Sequence, residues 1–235
     1  MKLLVRSFAM GLCACAMVLS SAARADVVVY SQLPDVVGGT AQNGFYSDAV
    51  SGQFYGQKIG DNFTLSQAEI ITGIDWWGSS ENWQFPDYTN FSSFTVEIFA
   101  DNAGSVGTSI TGPMVFNTAA TNPQLVGNTL WGSDHFLQGV NITPTALGAG
   151  TYWISIGATA ISPGDDAWAW TTSNGGDGTL AGNFFDANGW QTFNNIADFA
   201  FQIRAQDVVI PEPGTAALFS VLLVGLGSFV RRKRA

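Results

Sequence analysis

The chain of 235 residues carries nine basic and 18 acidic groups and is 46% hydrophobic, a size suited to one domain or two small ones. Its charge is unevenly placed: residues 26–210 hold Lys58 and Arg204 against 17 carboxylates, a formal charge of −15, which excludes the clustered cations that nucleic-acid binding by counterion release requires. The same stretch has eight Trp, five Tyr and 14 Phe, which excludes a solvated acidic tail.

Residues 1–25 predict a secretory signal. Lys2 and Arg6 precede the apolar run Phe8 to Leu19, and Ala23-Arg24-Ala25 forms an A-x-A cleavage site. The mature chain then begins at Asp26. A competing reading takes Leu12-Cys13-Ala14-Cys15 as a lipoprotein box, but the apolar run before Cys15 is short for one. Both cysteines fall inside the signal, so the exported body is expected to hold neither thiol nor disulfide.

Between Asp26 and Val209 the apolar segments are short, β-branched or aromatic, and bounded by Gly, Asn, Asp, Ser or Pro. This predicts strands over 26–33, 60–65, 69–77, 93–100, 113–118, 134–142, 150–157, 167–172 and 198–205. Phe94, Val96 and Ile98 alternate with Thr95 and Glu97; Tyr152, Ile154 and Ile156 flank Ser155; Phe199, Phe201 and Ile203 alternate with Gln202 and Arg204. Such period-two patterns predict one buried and one wet face. Nothing reads as a long amphipathic helix, and no repeat emerges at solenoid or propeller periods. The expected fold is all-β, a single antiparallel β-sandwich of jelly-roll type over 26–209.

Catalytic patterns are sparse. His135, with Asp134 beside it, is the only histidine, and no serine sits in a Gly-x-Ser-x-Gly elbow, so the reading is a hydrogen-bonded structural histidine. One His without Cys does not form the usual zinc sets. Glu69, Glu81 and Glu97 are the glutamates open to a glycosidase pair; Glu97 either faces a cleft beside Trp76 or Trp77 or takes an ordinary solvent-facing strand position. Asp165, Asp166 and Asp177 are candidate calcium ligands beside flexible turns, although their loops do not match the D-x-[DN]-x-[DN]-G pattern; otherwise no cofactor is expected. The tryptophans are the richest material for binding, since flat aromatic faces stack on sugar rings. Trp77, adjacent to Trp76, must point to the opposite face of a regular strand. In the loop 78–91, Trp83, Phe85 and Tyr88 form the best candidate aromatic surface.

The chain closes with Pro211-Glu212-Pro213, the apolar run Ala216 to Val230, and Arg231, Arg232, Lys233 and Arg234. Basic flanks of this kind stay on the cytoplasmic side. The 15 apolar residues give about 22 Å of helix, short of the ~30 Å hydrocarbon core. The length suits a segment that is recognised and removed, as GPI-type tails are, with a single-span anchor as the alternative. The ordered combination resembles the PEP-CTERM sorting signal of Gram-negative bacteria. The resemblance implies processing near Pro211-Glu212-Pro213 by exosortase, a membrane-embedded transpeptidase, after passage through the secretion translocon, in organisms that build an extracellular polysaccharide matrix. It implies residence at the inner membrane, transiently or as an anchor, and then at the cell surface or in a biofilm matrix.

A second resemblance covers about 60–205. Gly60-Asp61-Asn62-Phe63-Thr64-Leu65, Ile74-Asp75-Trp76-Trp77-Gly78, Phe94 to Asp101, Gly150 to Ile156 and Trp168-Ala169-Trp170 are similar to an ectodomain type common among PEP-CTERM proteins, mostly without an assigned activity. The expectation is a non-enzymatic structural or interaction protein of the surface or matrix. The alternatives are a carbohydrate-binding module, calcium-assisted or not, and a secreted glycoside hydrolase.

Overall fold

A computed structural model describes residues 26–49, 56–80, 90–161, 167–184 and 189–206. The expected signal peptide, the Pro211-Glu212-Pro213 motif, the C-terminal span and its basic flank, together with Glu81, Trp83, Phe85, Tyr88, Asp165 and Asp166, lie outside the described residues. Among those described, the protein is all-β, built from two sheets without an α-helix. All nine segments that alternation and turn chemistry marked as strands contain strands, the segment 198–205 being divided at Ala200 into two.

The larger sheet has ten strands: β1 (Asp26–Gln32), β2 (Val36–Val37), β3 (Thr40–Ala41), β4 (Gly44–Tyr46), β6 (Glu69–Ser80), β10 (Gln124–Thr129), β11 (Asp134–Leu147), β13 (Trp168–Ser173), β16 (Asp198–Phe199) and β17 (Phe201–Gln206). The smaller has seven: β5 (Gln57–Leu65), β7 (Phe91–Asp101), β8 (Val106–Ser109), β9 (Met114–Asn117), β12 (Gly150–Ala160), β14 (Leu180–Phe184) and β15 (Gln191–Phe193). The long strand β6 is central to the larger sheet. One of its sides pairs along β11; the other pairs with β17 through Ile71–Trp76 and then with β13 through Gly78–Ser80.

A single core joins the two sheets. Ile71, Ile74, Trp76, Trp170, Phe199, Phe201 and Ile203 of one meet Ile59, Phe63, Phe94, Val96, Ile98, Ile154 and Ile156 of the other. Trp76 packs against Phe94, Phe63 edge-on against Phe201, and Phe94 edge-on against Trp168. Burial of these side chains, each contributing roughly 1.5–3 kcal/mol, holds the layers together. Buried polar groups crossing or lining the core are paired: Trp76 Nε1 donates to Gln138 Oε1 at 3.0 Å, and Trp170 Nε1 donates to the Ala200 carbonyl at 3.0 Å.

The expectation of one buried and one wet face holds for β17 but fails for β12. Trp153 and Ser155 face away from the core and are nevertheless buried. The cause is a second apolar cluster on the outer side of the smaller sheet, where Trp153, Phe99 and Ala181 are covered by Val106 and Trp190. Trp153 Nε1 donates to Asp101 Oδ1 at 2.9 Å, which satisfies its indole N–H.

A comparable covering occurs in the larger sheet. β3 pairs with β10 and β4 with β13, and only Gln42 and Asn43 separate β3 from β4. The pairings β10–β11–β6–β13–β4 therefore return to β10 through β3 and close a ring. Trp77, Ser79, His135, Ala169, Thr171 and Ala41 are buried although they lie on the face turned away from the main core. The ring gives the sheet a second, more polar interior.

Candidate functional site

His135 lies in this second interior, 1% exposed, opposite Ser79 in the register of β11 and β6. Its Nε2 is 3.0 Å from Thr171 Oγ1, and burial lowers its pKa to about 4. Asp134 does not orient it; that carboxylate accepts instead from Asn128 Nδ2 at 3.4 Å. Trp77 shares the enclosed face and is only 8% exposed, so its ring offers little surface to a ligand.

Glu97 does not face Trp76 or Trp77. It is directly opposite Ser155 on the outer side of the smaller sheet, because Phe94, Val96 and Ile98 take the inward positions of β7. Glu69 is buried at the start of β6, where its Oε1 accepts from Gln67 Nε2 at 2.8 Å. These two glutamates lie on different sheets and do not form a pair.

The aspartates divide in the same way. Asp61 faces inward from β5 and is fully buried. Its Oδ2 accepts from the Phe199 amide at 2.7 Å, bridging the two sheets, and its Oδ1 from the Asn62 amide at 2.8 Å. With its amide oriented to satisfy both ends, Gln32 adds a third donor at 2.9 Å and accepts from the Tyr30 hydroxyl. Burial pushes the Asp61 carboxyl well above its ordinary pKa, against the pull of the two amides and with further upward pressure from Asp198 and Asp177. The Asp198 carboxylate is held by the amides of Asp177 and Gly178. Asp177 is exposed, and its two oxygens accept from the Thr179 amide and from Asn62 Nδ2. Among the described residues no three His, Cys, Asp or Glu side chains are grouped to hold a metal ion.

A cleft of about 310 Å³ opens on the outer face of the larger sheet. Its floor is Leu137, Gly139 and Asn141 of β11, Asp75 of β6 and Arg204 of β17, and its wall is the segment from Ala120 to Gln124. That wall is the 3-10 turn Thr118–Thr121, started by the Asn117 side chain and ended by left-handed Asn122, followed by the first residue of β10. Two glycines make the floor possible. A Cβ on Gly73 would collide with the Arg204 guanidinium, and one on Gly139 with Oδ1 of Asp75, so both long polar side chains lie flat across neighbouring strands.

Arg204 is fixed by four groups. Its Nε donates to Asp75 Oδ2 at 2.9 Å, Nη1 to Asp26 Oδ2 at 3.0 Å and Asn141 Oδ1 at 2.9 Å, and Nη2 to the Val140 carbonyl at 2.9 Å. Burial raises the Asp75 pKa despite the guanidinium beside it. Sequence reasoning marked Arg204 only as a solvent-facing strand residue and gave Asp75, Asn141 and Gln124 no part in a binding site. Their meeting depends on the β17–β6–β11 register, which no local pattern encodes.

Among the described residues Trp131 is the tryptophan left exposed, 48%, at the tip of the β10–β11 hairpin beside exposed Leu130. Trp190 is half-buried against Phe99, and the other described tryptophans are buried.

No protein-family model and no curated protein matches the chain. Among solved structures it is similar to the cysteine protease and lectin-like domains of Cwp84, a surface layer associated protein of Clostridium difficile. The identity there is 10% over 64% of this chain and 32% of that one, with a TM-score of 0.43. It is also similar to a serine protease of Aeromonas sobria, at 12% identity over 80% of this chain and 28% of that one, TM-score 0.30. The same protease in complex with its chaperone gives 12% identity, 85% and 30% coverage, and a TM-score of 0.29. The chain spans less than a third of the length of each of these solved chains.

Proposed function

We propose that this is an exported protein of the bacterial surface or extracellular matrix, sorted through Pro211-Glu212-Pro213 by exosortase, whose β-sandwich body of jelly-roll type has a structural or interaction role rather than an enzymatic one. The observation that carries the reading is the order of the C-terminal segment: two prolines around a glutamate, a short apolar run, then four consecutive basic residues. Prolines hold their own φ and disfavour helix in the residue before them, so the motif offers a processing enzyme an extended substrate just outside the membrane. The position of the body's ends supports the same reading. Asp26, the first residue after the expected signal cleavage, pairs with Gln206 in the β1–β17 ladder, so the two ends of the described body lie side by side.

The test is intact-mass and C-terminal mapping of the protein recovered from its native host, with envelope and matrix fractions separated. A terminus near Pro211–Gly214 is the expected result. A chain ending at Ala235 in every fraction overturns sorting by cleavage and makes the protein a membrane-anchored surface protein.

A further inference from the structure

We infer that the cleft formed by Asp75, Asn141 and Arg204 with the Asn122–Gln124 wall is a binding site for a neutral polyhydroxylated ligand, a single sugar residue or the end of a glycan chain. The inference concerns the body alone and stands whether or not residues 207–235 are processed. At about 310 Å³ the space falls at the lower end of the ~300–1,000 Å³ range of small-ligand clefts.

The chemistry of the lining selects the ligand. Arg204 has five N–H groups; four are engaged and one Nη2 hydrogen remains. Among the described residues no donor reaches Asp75 Oδ1, which lies over Gly139, and Asn141 uses only its oxygen, which leaves its amide N–H groups free. Asn122 and Gln124, both exposed, line the same space. The site therefore offers donors and acceptors side by side in fixed positions. A hydroxyl is both donor and acceptor, so a carboxylate oxygen taking one hydroxyl proton next to an amide giving a hydrogen bond to the neighbouring hydroxyl matches a vicinal diol. Leu137 and Ala120 supply an apolar patch for the C–H face of a ring.

Charge argues against the other ligand classes. The guanidinium is already flanked by Asp75 and Asp26 at 2.9 and 3.0 Å, so the cluster has no net positive charge to offer a phosphate or an acidic sugar. The body's formal charge of −15 adds to that repulsion. A hard cation needs six or more oxygen ligands, and the described residues contain no acidic group assembled for one.

The experiment uses the purified exported protein on an array of neutral and acidic oligosaccharides, followed by calorimetric titration with the neutral sugar retained best. Asn141→Ala and Gln124→Ala each remove one amide from the cleft; Gln124 is exposed, so its loss leaves folding intact. Glu97→Gln, on the other sheet, is the control. Neutral glycans are expected to bind, with about tenfold weakening in each cleft variant and none in the control, while thermal melts stay unchanged for Gln124→Ala. Retention of acidic glycans only, retention of no neutral glycan, or wild-type affinity in both cleft variants overturns the proposal.

Discussion

Two buried titratable residues pull the stability of this protein in opposite directions with pH. His135 is neutral in its enclosed site, with a pKa of about 4 against an ordinary value of about 6.5. The unfolded chain therefore binds its proton first, so the stability this residue contributes is present above about pH 6.5 and is lost as pH falls towards 4. The full loss is on the order of 3 kcal/mol. Asp61 is the reverse. Its folded pKa is raised well above the ordinary carboxylate value, so its contribution is present in acid and lost as pH rises through the folded titration. Denaturant melts from pH 4 to 8 test both: His135→Gln is expected to remove the rising component and Asp61→Asn the falling one. Parallel pH profiles for both variants and the wild type would show that neither group titrates differently on folding. At this scale the sequence was readable for His135, since a lone histidine in a strand needed only a hydrogen-bond partner. It was unreadable for Asp61, whose Phe199 donor comes from the opposite sheet.

Among the elements, β6 does most to decide the architecture, and Gly78 shows how tightly it is fitted. A Cβ at this position would overlap the indole of buried Trp168 on the paired strand β13. Phe94 and Trp170 pack against that ring, so a swing of the indole away from the new methyl would disturb the core. Gly78→Ala is expected to cost about 2–3 kcal/mol, read as a lower denaturation midpoint with unchanged m-value. A variant as stable as the wild type would mean that β6 and β13 separate at this end. The long strands were legible because β-branched and aromatic residues alternate over six or more positions. β2, β3, β4, β8, β10, β14 and β15 were not: most are two to five residues long, too short for a period to register, and exist because a neighbouring strand supplies their hydrogen bonds. The outer cluster around Trp153 and the ring enclosing Trp77 were missed because alternation predicts which side faces the core, whereas other chain segments decide whether the far side stays wet.

For the whole molecule, the defining contact is between its ends. β1 and β17 pair from Asp26↔Gln206 to Gln32↔Phe201, joining positions about as far apart in sequence as the described body permits, and Asp26 also holds Arg204 beneath the cleft. Pairing at such separation pays its loop-closure entropy late, and folds dominated by non-local strand pairs form in milliseconds to seconds. The body is therefore expected to complete folding only once β17 is available to pair. Deletion of 211–235 should leave a cooperative thermal transition at the wild-type temperature, and deletion of 201–235 should abolish it, since β6 and β1 lose their shared partner. A cooperative melt in the shorter chain would show that the β1–β17 ladder is peripheral to the fold.

The sequence by itself determined the all-β character and the position of the long strands, because alternation and turn chemistry act over a few neighbouring residues. It also supplied every observation behind the sorting proposal, since charge, hydrophobicity and proline placement along a linear segment are what an export pathway reads. Only the tertiary structure decided that Trp77 and Trp153 are enclosed and that Asp75, Asn141 and Arg204 meet over two glycines. Those outcomes depend on strand order and register between residues more than 60 positions apart, and no local pattern specifies which strand will lie beside which.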